Sequence, residues 1–400
     1  MRPQLKRQSM KAALTGWISN RLRLLLLILG AMILVGATVF TSRANAETSS
    51  QKVLQSPAQD KPTNDYCLSC HSQPGLNKPL PDGETLSLYI DPTLFQQSVH
   101  NQENLACVDC HTNITTYPHP AFQPNSTRDV TLQLYAVCKN CHADEYSKTL
   151  DSVHQQALAV GNYNAAVCTD CHNPHQQKQM TDPKTGQLFP DARISIPQTC
   201  ARCHSVIYNQ YKDSVHGTAL TEGNLDVPTC IDCHGVHNIQ SPVTVRFHND
   251  VPELCAKCHT NPAIMDKYGI STQVLNTYVS DFHGTTVSIF EQISPDTPTN
   301  KPVCTDCHGV HDIGNVNDPA TGIAIQQNLL PKCQRCHPGV TSANFSEAWM
   351  DHYIPSPTKY PLVFAVNLLY DLLIPAVIGA MLVFVIADFV RRAIGERKGK

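Results

Sequence analysis

Two long apolar runs lie near the ends of the chain. The first run, 24–40, follows a segment with six Lys and Arg residues and precedes the small residues Ala44 and Ala46. This pattern predicts a signal peptide, or a retained N-terminal anchor, over residues 1–46. The second run, 361–390, is long enough to cross a hydrocarbon layer of ~30 Å, and five Lys and Arg residues follow it.

These charges also predict the orientation, because positive residues beside a membrane span stay in the cytoplasm. Residues 359–400 are therefore predicted to form a C-terminal transmembrane helix with a basic cytoplasmic tail. Residues 47–358 then lie on the periplasmic or outer face of the cytoplasmic membrane.

Between the apolar runs, the hydrophobic residues form only short amphipathic stretches, several of which end at a histidine. Aromatic residues lie three to eight positions upstream, such as Tyr211 before His216, and fit a helical stripe that faces either a cofactor or ordinary core packing. Loops rich in Pro, Gly and Asn, such as 180–190 and 318–322, separate the stretches. The predicted fold is mainly α, with extensive irregular loops and almost no sheet.

The 18 cysteines all fall into nine C-x-x-C-H motifs. This motif is the attachment signature of c-type haem, in which two cysteines bind the porphyrin and the histidine binds the iron. Zinc ribbons and disulfide frameworks also use paired cysteines, but neither needs a histidine after every second cysteine. The predicted attachment residues are Cys67, Cys70, Cys107, Cys110, Cys138, Cys141, Cys168, Cys171, Cys200, Cys203, Cys230, Cys233, Cys255, Cys258, Cys304, Cys307, Cys333 and Cys336.

The histidines outnumber the motifs by ten. The motif histidines, predicted to bind the iron from one side, are His71, His111, His142, His172, His204, His234, His259, His308 and His337. Nine others alternate with them along the chain and are the predicted sixth ligands: His100, His119, His154, His175, His216, His237, His283, His311 and His352. Only His248 falls outside the alternation, which makes it a surface or propionate-contacting residue.

The sixth ligands form two classes. One class closes an amphipathic stretch: His100, His154, His216, His283 and His352. The other class follows a motif histidine closely: His175, His237 and His311 at plus three, and His119 at plus eight. His237, one helical turn after His234, lies on the same side of the ring as its neighbour and must serve a different haem or none. The classes alternate in four repeats of about 55 to 80 residues plus a half-repeat. For the first class, the preceding haem is the preferred partner.

The charge distribution narrows the choice of partners. Residues 47–390 contain 18 Lys and Arg against 32 Asp and Glu, a balance of −14 before any haem propionates. Nucleic acid is therefore not an expected partner, and a positively charged docking surface is. With 42% hydrophobic residues, we expect the buried apolar material to be mainly cofactor and the haem-free chain to be largely unfolded.

The nine motifs and alternating histidines resemble the multihaem c-type cytochromes with doubled C-x-x-C-H repeats, including the NapC/NirT-like and decahaem periplasmic carriers. The resemblance covers residues 66–352 and implies electron transfer from the quinone pool to periplasmic or extracellular acceptors. The C-terminal anchor and nine haems depart from the NapC/NirT pattern. That departure favours a separate membrane-embedded cytochrome b, or another quinol-oxidising subunit, as the membrane partner, with periplasmic electron carriers or reductases as the other partners.

The residues and the resemblance together predict a non-catalytic electron-transfer subunit with nine bis-histidine haems c. Because six-coordinate iron has no open position for a substrate, we do not expect an enzyme. Two alternatives stay open: a reductase or dehydrogenase of nitrogen or sulfur oxyanions with one open haem, and a self-contained quinol dehydrogenase. Asp371, an ionisable residue in the predicted span, faces either a partner membrane subunit or the outer interface.

Overall fold

The computed structural model describes residues 61–117, 119–345, 352, 354–358 and 360–398. The predicted signal segment 1–46 and the residues 349–351 before His352 lie outside these ranges. The described helices are α1 (Asn64–His71), α2 (Pro92–Gln96), α3 (Val99–Gln102), α4 (Cys107–Cys110), α5 (Thr127–Leu134), α6 (Ala143–Thr149), α7 (Val153–Ala159), α8 (Cys168–Cys171), α9 (Pro190–Ala201), α10 (Ser205–Lys212), α11 (Val215–Thr221), α12 (Cys230–His234), α13 (Val245–His259), α14 (Pro262–Met265), α15 (Val274–Val279), α16 (Phe282–Ile293), α17 (Cys304–His308), α18 (Gln326–Gln334) and α19 (Pro361–Lys398).

Sheet structure is almost absent from the described residues. Two strands, β1 (Asn77–Pro79) and β2 (Thr85–Ser87), pair antiparallel with Lys78 opposite Leu86. Two short 3₁₀ turns, Tyr135–Asn140 and Asp266–Tyr268, complete the regular elements. The prediction of a mainly helical fold with extensive loops and almost no sheet is confirmed.

Four histidines of the first class begin a helix rather than close one. Each is the second residue of α3, α7, α11 or α16, and the residue before the helix caps it with a side-chain oxygen. Ser152 and Ser214, for example, accept a hydrogen bond from the N–H of the third helical residue, which satisfies a backbone donor that the helix leaves open. The Asp-Ser-Val sequence before His154 and His216 is therefore a helix start signal.

The first turns of three of these helices are held by distant loops. The N–H of Val99 donates to the carbonyl of Gln177 at 2.8 Å, that of Val153 to Ile239 at 2.8 Å, and that of Val215 to Ile313 at 2.9 Å. Each acceptor lies five residues after a motif histidine. The repeats therefore interlock, because a helix in one repeat is fastened to a loop of the next.

The side-chain core is small for a chain of this length. Its central cluster consists of Val251, Val287 and Val303, with Phe247 and two motif cysteines packed against it. Three buried valines contribute a few kcal/mol of burial free energy at about 1.5–3 kcal/mol each. This central cluster alone thus supplies only a small part of the burial that a domain of this length needs.

The C-terminal helix α19 is long and apolar enough to cross a membrane over Pro361–Arg392, with a mean hydropathy of 2.5 in its most apolar window. Near its start, Asn367 Nδ2 donates to Asp371 Oδ2 at 3.2 Å. At its other end, Asp388 pairs with Arg391 and Arg392 at 2.9 and 2.7 Å. The helix is thus a candidate membrane anchor, with one polar pair near its beginning and an ionic cluster near its end.

Candidate haem sites

The nine motifs, numbered in chain order, define sites 1 to 9, and the motif histidine of each site faces one histidine from outside the motifs. Ring centroids within a pair are 5.9–6.3 Å apart. The pairs, from site 1 to site 9, are His71–His119, His111–His175, His142–His100, His172–His237, His204–His154, His234–His311, His259–His216, His308–His352 and His337–His283. All nineteen histidines except His248 are thus used in pairs.

The spacing fits two imidazoles that bind one iron from opposite faces. A histidine nitrogen lies about 2 Å from a first-row metal, and the ring centre lies about 1 Å behind it, so opposed ring centres are expected about 6 Å apart. The observed pairs meet this requirement at every site. The residues present therefore fit a haem held between each pair.

Hydrogen bonds to the second ring nitrogen orient several of these imidazoles. His71 Nδ1 donates to the carbonyl of Leu88 at 2.8 Å, and His100 Nδ1 donates to that of Pro174 at 2.9 Å. With the proton held on Nδ1, Nε2 is left as the lone-pair nitrogen that a metal requires. These carbonyls therefore prepare the rings for ligation.

Burial keeps several of the rings neutral. It lowers the pKa of His175, His216 and His308 to about 4, with a smaller contribution from the imidazole opposite. Desolvation disfavours the charged imidazolium, and only the neutral ring binds a metal. These three rings are thus in the protonation state that ligation needs.

The partners of the first class correct the sequence-based preference. His100, His154, His216 and His283 do not face the motif that precedes them, but the motif two places further along. The reason is the interlocking of the repeats, because the start of each of α3, α7 and α11 is bonded to a loop that follows the next motif pair. The preference for the preceding haem is therefore wrong in this structure.

The second class reaches in the opposite direction. His175, His237 and His311 face the motif histidines two places earlier, so none shares a site with the motif it follows. His119 faces site 1 and His352 faces site 8. His352, placed with the first class from its sequence context, therefore acts like the second class.

Successive sites along the sequence are also neighbours in space. The first cysteines of sites 3 and 4, Cys138 and Cys168, lie beside each other, since the 3₁₀ turn Tyr135–Asn140 contacts α8. The first cysteines of sites 5 and 6 and of sites 7 and 8 also lie beside each other, as do Cys67 of site 1 and Cys107 of site 2. Electrostatic contacts between cysteines link these pairs in turn: Cys110–Cys141, Cys171–Cys200, Cys233–Cys255 and Cys307–Cys333.

Sequence reasoning missed an aspartate that supports every second motif. Sites 2, 4, 6 and 8 read C-x-D-C-H, and the aspartate side chain accepts a hydrogen bond from the backbone N–H of the residue before the first cysteine. The four are Asp109, Asp170, Asp232 and Asp306. The repeated aspartate at even sites, and its absence from odd ones, is visible in the sequence and marks two kinds of motif.

Each of these aspartates has a cationic or protonatable partner upstream. Arg128 bonds both oxygens of Asp170 at 3.0 and 2.8 Å, and Arg193 bonds Asp232 at 3.1 Å. Lys61 pairs with Asp109, and His248 Nε2 lies 3.2 Å from Asp306 Oδ2. His248 thus stands where other repeats have Lys or Arg, which explains why it is not part of a ring pair.

Two of the aromatic residues upstream of the first-class histidines, Tyr211 and Tyr278, contact the next even site. The Tyr211 hydroxyl donates to the carbonyl of Pro228 at 2.7 Å, and that of Tyr278 donates to Pro302 at 3.0 Å. Both carbonyls lie two residues before a first cysteine. These tyrosines therefore fix the backbone that enters the motif.

The rival interpretations of the cysteines find no support in the described residues. In them no cysteines are joined as disulfides. Nor does the described part of the chain contain a group of three or more His, Cys, Asp or Glu placed to hold a single metal ion, as a zinc ribbon requires. Opposed histidine pairs beside cysteine pairs are what the folded chain presents.

Comparison with known proteins agrees with this chemistry. Residues 222–263, which contain sites 6 and 7, match the family described as doubled CXXCH motif. No solved structure matches the chain. The match supports a multihaem c-type cytochrome with covalently bound haem c.

Proposed function

We propose that the chain is a non-catalytic electron-transfer subunit with nine bis-histidine haems c. It carries electrons between a membrane quinol-linked oxidoreductase and periplasmic or extracellular acceptors. The observation that supports this best is the set of nine opposed histidine pairs, one for every attachment motif. A bound haem supplies one-electron redox chemistry at each site.

The protein residues determine why that chemistry is transfer and not catalysis. A histidine on each face of a site leaves no position for a substrate, and two nitrogen ligands favour a lower potential than His/Met ligation. Cysteines of successive motifs lie beside each other, so the sites follow one another in sequence order. The chain thus provides a continuous series of closed sites.

The membrane location rests on α19. Its apolar stretch of 32 residues, Pro361–Arg392, exceeds the roughly 20 residues that a span needs. The arginines at its end favour a cytoplasmic location for that end. The haem region then lies on the outer face, where haem c is attached.

A haem count combined with electron paramagnetic resonance tests the proposal. The pyridine haemochrome assay and intact mass are expected to give nine haems per chain, and the oxidised protein is expected to show only low-spin ferric iron. A count below nine would contradict the site assignment. Nine haems with a substantial high-spin signal would instead favour the oxyanion reductase or dehydrogenase, which needs an open site.

A further inference from the structure

The ninth site lacks the neighbour that every other odd site has. Sites 1, 3, 5 and 7 each have their first cysteine beside the first cysteine of the following even site. For sites 3, 5 and 7 the elements that carry the two cysteines contact each other, and for site 1 the N–H of Cys107 donates to Asn64 Oδ1 at the start of α1. Cys333 of site 9 lies beside Cys307 of site 8, but the sequence between His337 and α19 contains no tenth motif. The regular pairing of motifs is therefore broken at site 9.

The histidine pattern continues past this break. Histidines that follow sites 4, 6 and 8 reach back to sites 2, 4 and 6. By the same rule, a histidine that follows a tenth motif is expected to face the motif histidine of site 8. His352 does face that histidine, His308. The last repeat thus contains the histidine that faces site 8 but lacks a tenth C-x-x-C-H motif.

Site 9 lies at the membrane end of the series. His352 precedes the first residue of α19 by nine positions, and nine residues span at most about 32 Å when fully extended. Site 8, and site 9 in contact with it, are therefore tethered to the anchor. Site 1 is at the other end of the series.

The anchor itself carries a polar pair in its first turns. Asn367 and Asp371 are both exposed on α19 and hydrogen-bonded to each other. Polar and ionisable side chains within a span normally face protein or water rather than lipid. With the orientation proposed above, this pair lies in the outer part of the membrane, on the side of the haem region.

We propose that a membrane-embedded redox protein docks at site 9 and against the Asn367–Asp371 pair, and places its own redox centre where the tenth motif is missing. This inference rests on the proposed function and names the surface through which the membrane partner acts. The partner is a helical membrane protein with a hydrogen-bond donor or cation for Asp371. Each crossing moves one electron, so that the partner's centre is oxidised while site 9 is reduced, and no bond forms or breaks.

Two substitutions test the surface in the full-length chain within membranes of the producing cells. Arg335→Glu reverses an exposed charge inside the site 9 motif, and Asp371→Leu removes the acidic group from α19. Lys212→Glu, which reverses another exposed charge between sites 5 and 6, is the control. With menadiol as the quinol probe, we expect haem reduction to be at least tenfold slower in Arg335→Glu and in Asp371→Leu. In Lys212→Glu we expect the rate of haem reduction to be unchanged.

Three further readouts separate the outcomes. Haem content and reduction by dithionite, which needs no partner, are expected to match the unaltered chain in all variants. Menadiol reduction that is unchanged in both test variants overturns the docking surface while leaving the proposed function intact. If the unaltered chain is not reduced by menadiol at all, the quinol-linked function itself fails, and the docking proposal fails with it.

A photo-crosslinking amino acid at position 335 identifies the occupant. The expected adduct contains an integral membrane redox protein and is not formed when the crosslinker is at position 212. An adduct with a second copy of the chain means that site 9 pairs with another site 9 and overturns the proposal. A soluble protein in the adduct overturns it as well.

Discussion

His237 lies three residues after His234, yet its ring faces His172, with 6.2 Å between the ring centroids. Its backbone φ is 64°, a left-handed conformation that non-glycine residues rarely adopt. The turn directs the side chain away from the motif that precedes it and towards site 4. A single residue thus brings the peptide of site 6 to the motif histidine of site 4.

His237→Ala is expected to open one site. The oxidised protein should keep nine haems but gain a high-spin ferric signal equal to one ninth of the iron, because site 4 loses its sixth ligand. His248→Ala is the matched control, since His248 also lies outside the motifs but pairs with Asp306 rather than with a motif histidine. A high-spin signal from the His248 variant, or none from the His237 variant, would contradict the pairing.

The aspartates of the even motifs act through the backbone. Asp232 accepts from the N–H of Thr229 at 2.6 Å and from its hydroxyl at 2.9 Å, which is the role of the third helical residue in a capping box. Asp232→Ala is therefore expected to lower the free energy of unfolding by about 1 kcal/mol, within the range of measured cap losses. Denaturant titration of the holoprotein measures this, with Asp213→Ala, at an exposed helix end, as the control. An equal decrease in the free energy of unfolding in both variants would contradict a specific stabilising role of the motif aspartate.

At the scale of elements, each repeat contains a helix whose capped N-terminus packs closely against the preceding helix, as α11 packs against α10. Gly217 follows His216 in α11, and a Cβ built on it would lie 1.9 Å from the carbonyl oxygen of Tyr211. Gly284 after His283 meets Tyr278 in the same way at 2.0 Å. These close approaches set the direction in which the histidine leaves the helix.

Gly217→Ala is expected to destabilise the protein, because the backbone of Tyr211 must shift to admit a methyl group. Overpacking of this kind costs about 1–3 kcal/mol, so the thermal midpoint should fall. Gly339→Ala is the control, since a methyl group added at Gly339 would meet no atom within 4 Å and the residue has no left-handed φ. If His216 is displaced as well, a high-spin signal at site 7 accompanies the lower midpoint.

Much of the site was predictable from sequence, because covalent attachment fixes the spacing of its residues. The nine motifs, the alternation of histidines and the exclusion of His248 all follow from residue types along the chain. The pairing did not, since His100 reaches His142 across 42 positions through contacts such as the hydrogen bond between Val99 and Gln177. Such contacts between distant loops produce no periodic pattern in the sequence and could not be predicted from it. The aspartates of the even motifs do recur periodically and could have been recognised.

The molecule as a whole has few means of folding without its cofactors. Its described residues contain a core cluster of only three buried valines, and most helices are shorter than the 12–15 residues at which isolated helices become marginally stable. The histidine pairs instead join segments that are distant in sequence, as His283 and His337 do. Binding of one haem iron by each of the nine histidine pairs is expected to join these distant segments and to stabilise the fold more than side-chain packing does.

The haem-free chain is therefore expected to be largely unfolded. The haem-free chain can be obtained by producing the protein in cells without the haem-attachment machinery. It can also be obtained by substituting all eighteen cysteines by serine, which removes haem attachment but not the helix caps. Far-UV circular dichroism of the haem region, with α19 in detergent, should then show little helix beyond that of the anchor, because metal binding contributes folding free energy in sites of this kind. A cooperative thermal transition with near-native helix content in the haem-free protein would show that the peptide folds first and the cofactors only fill it.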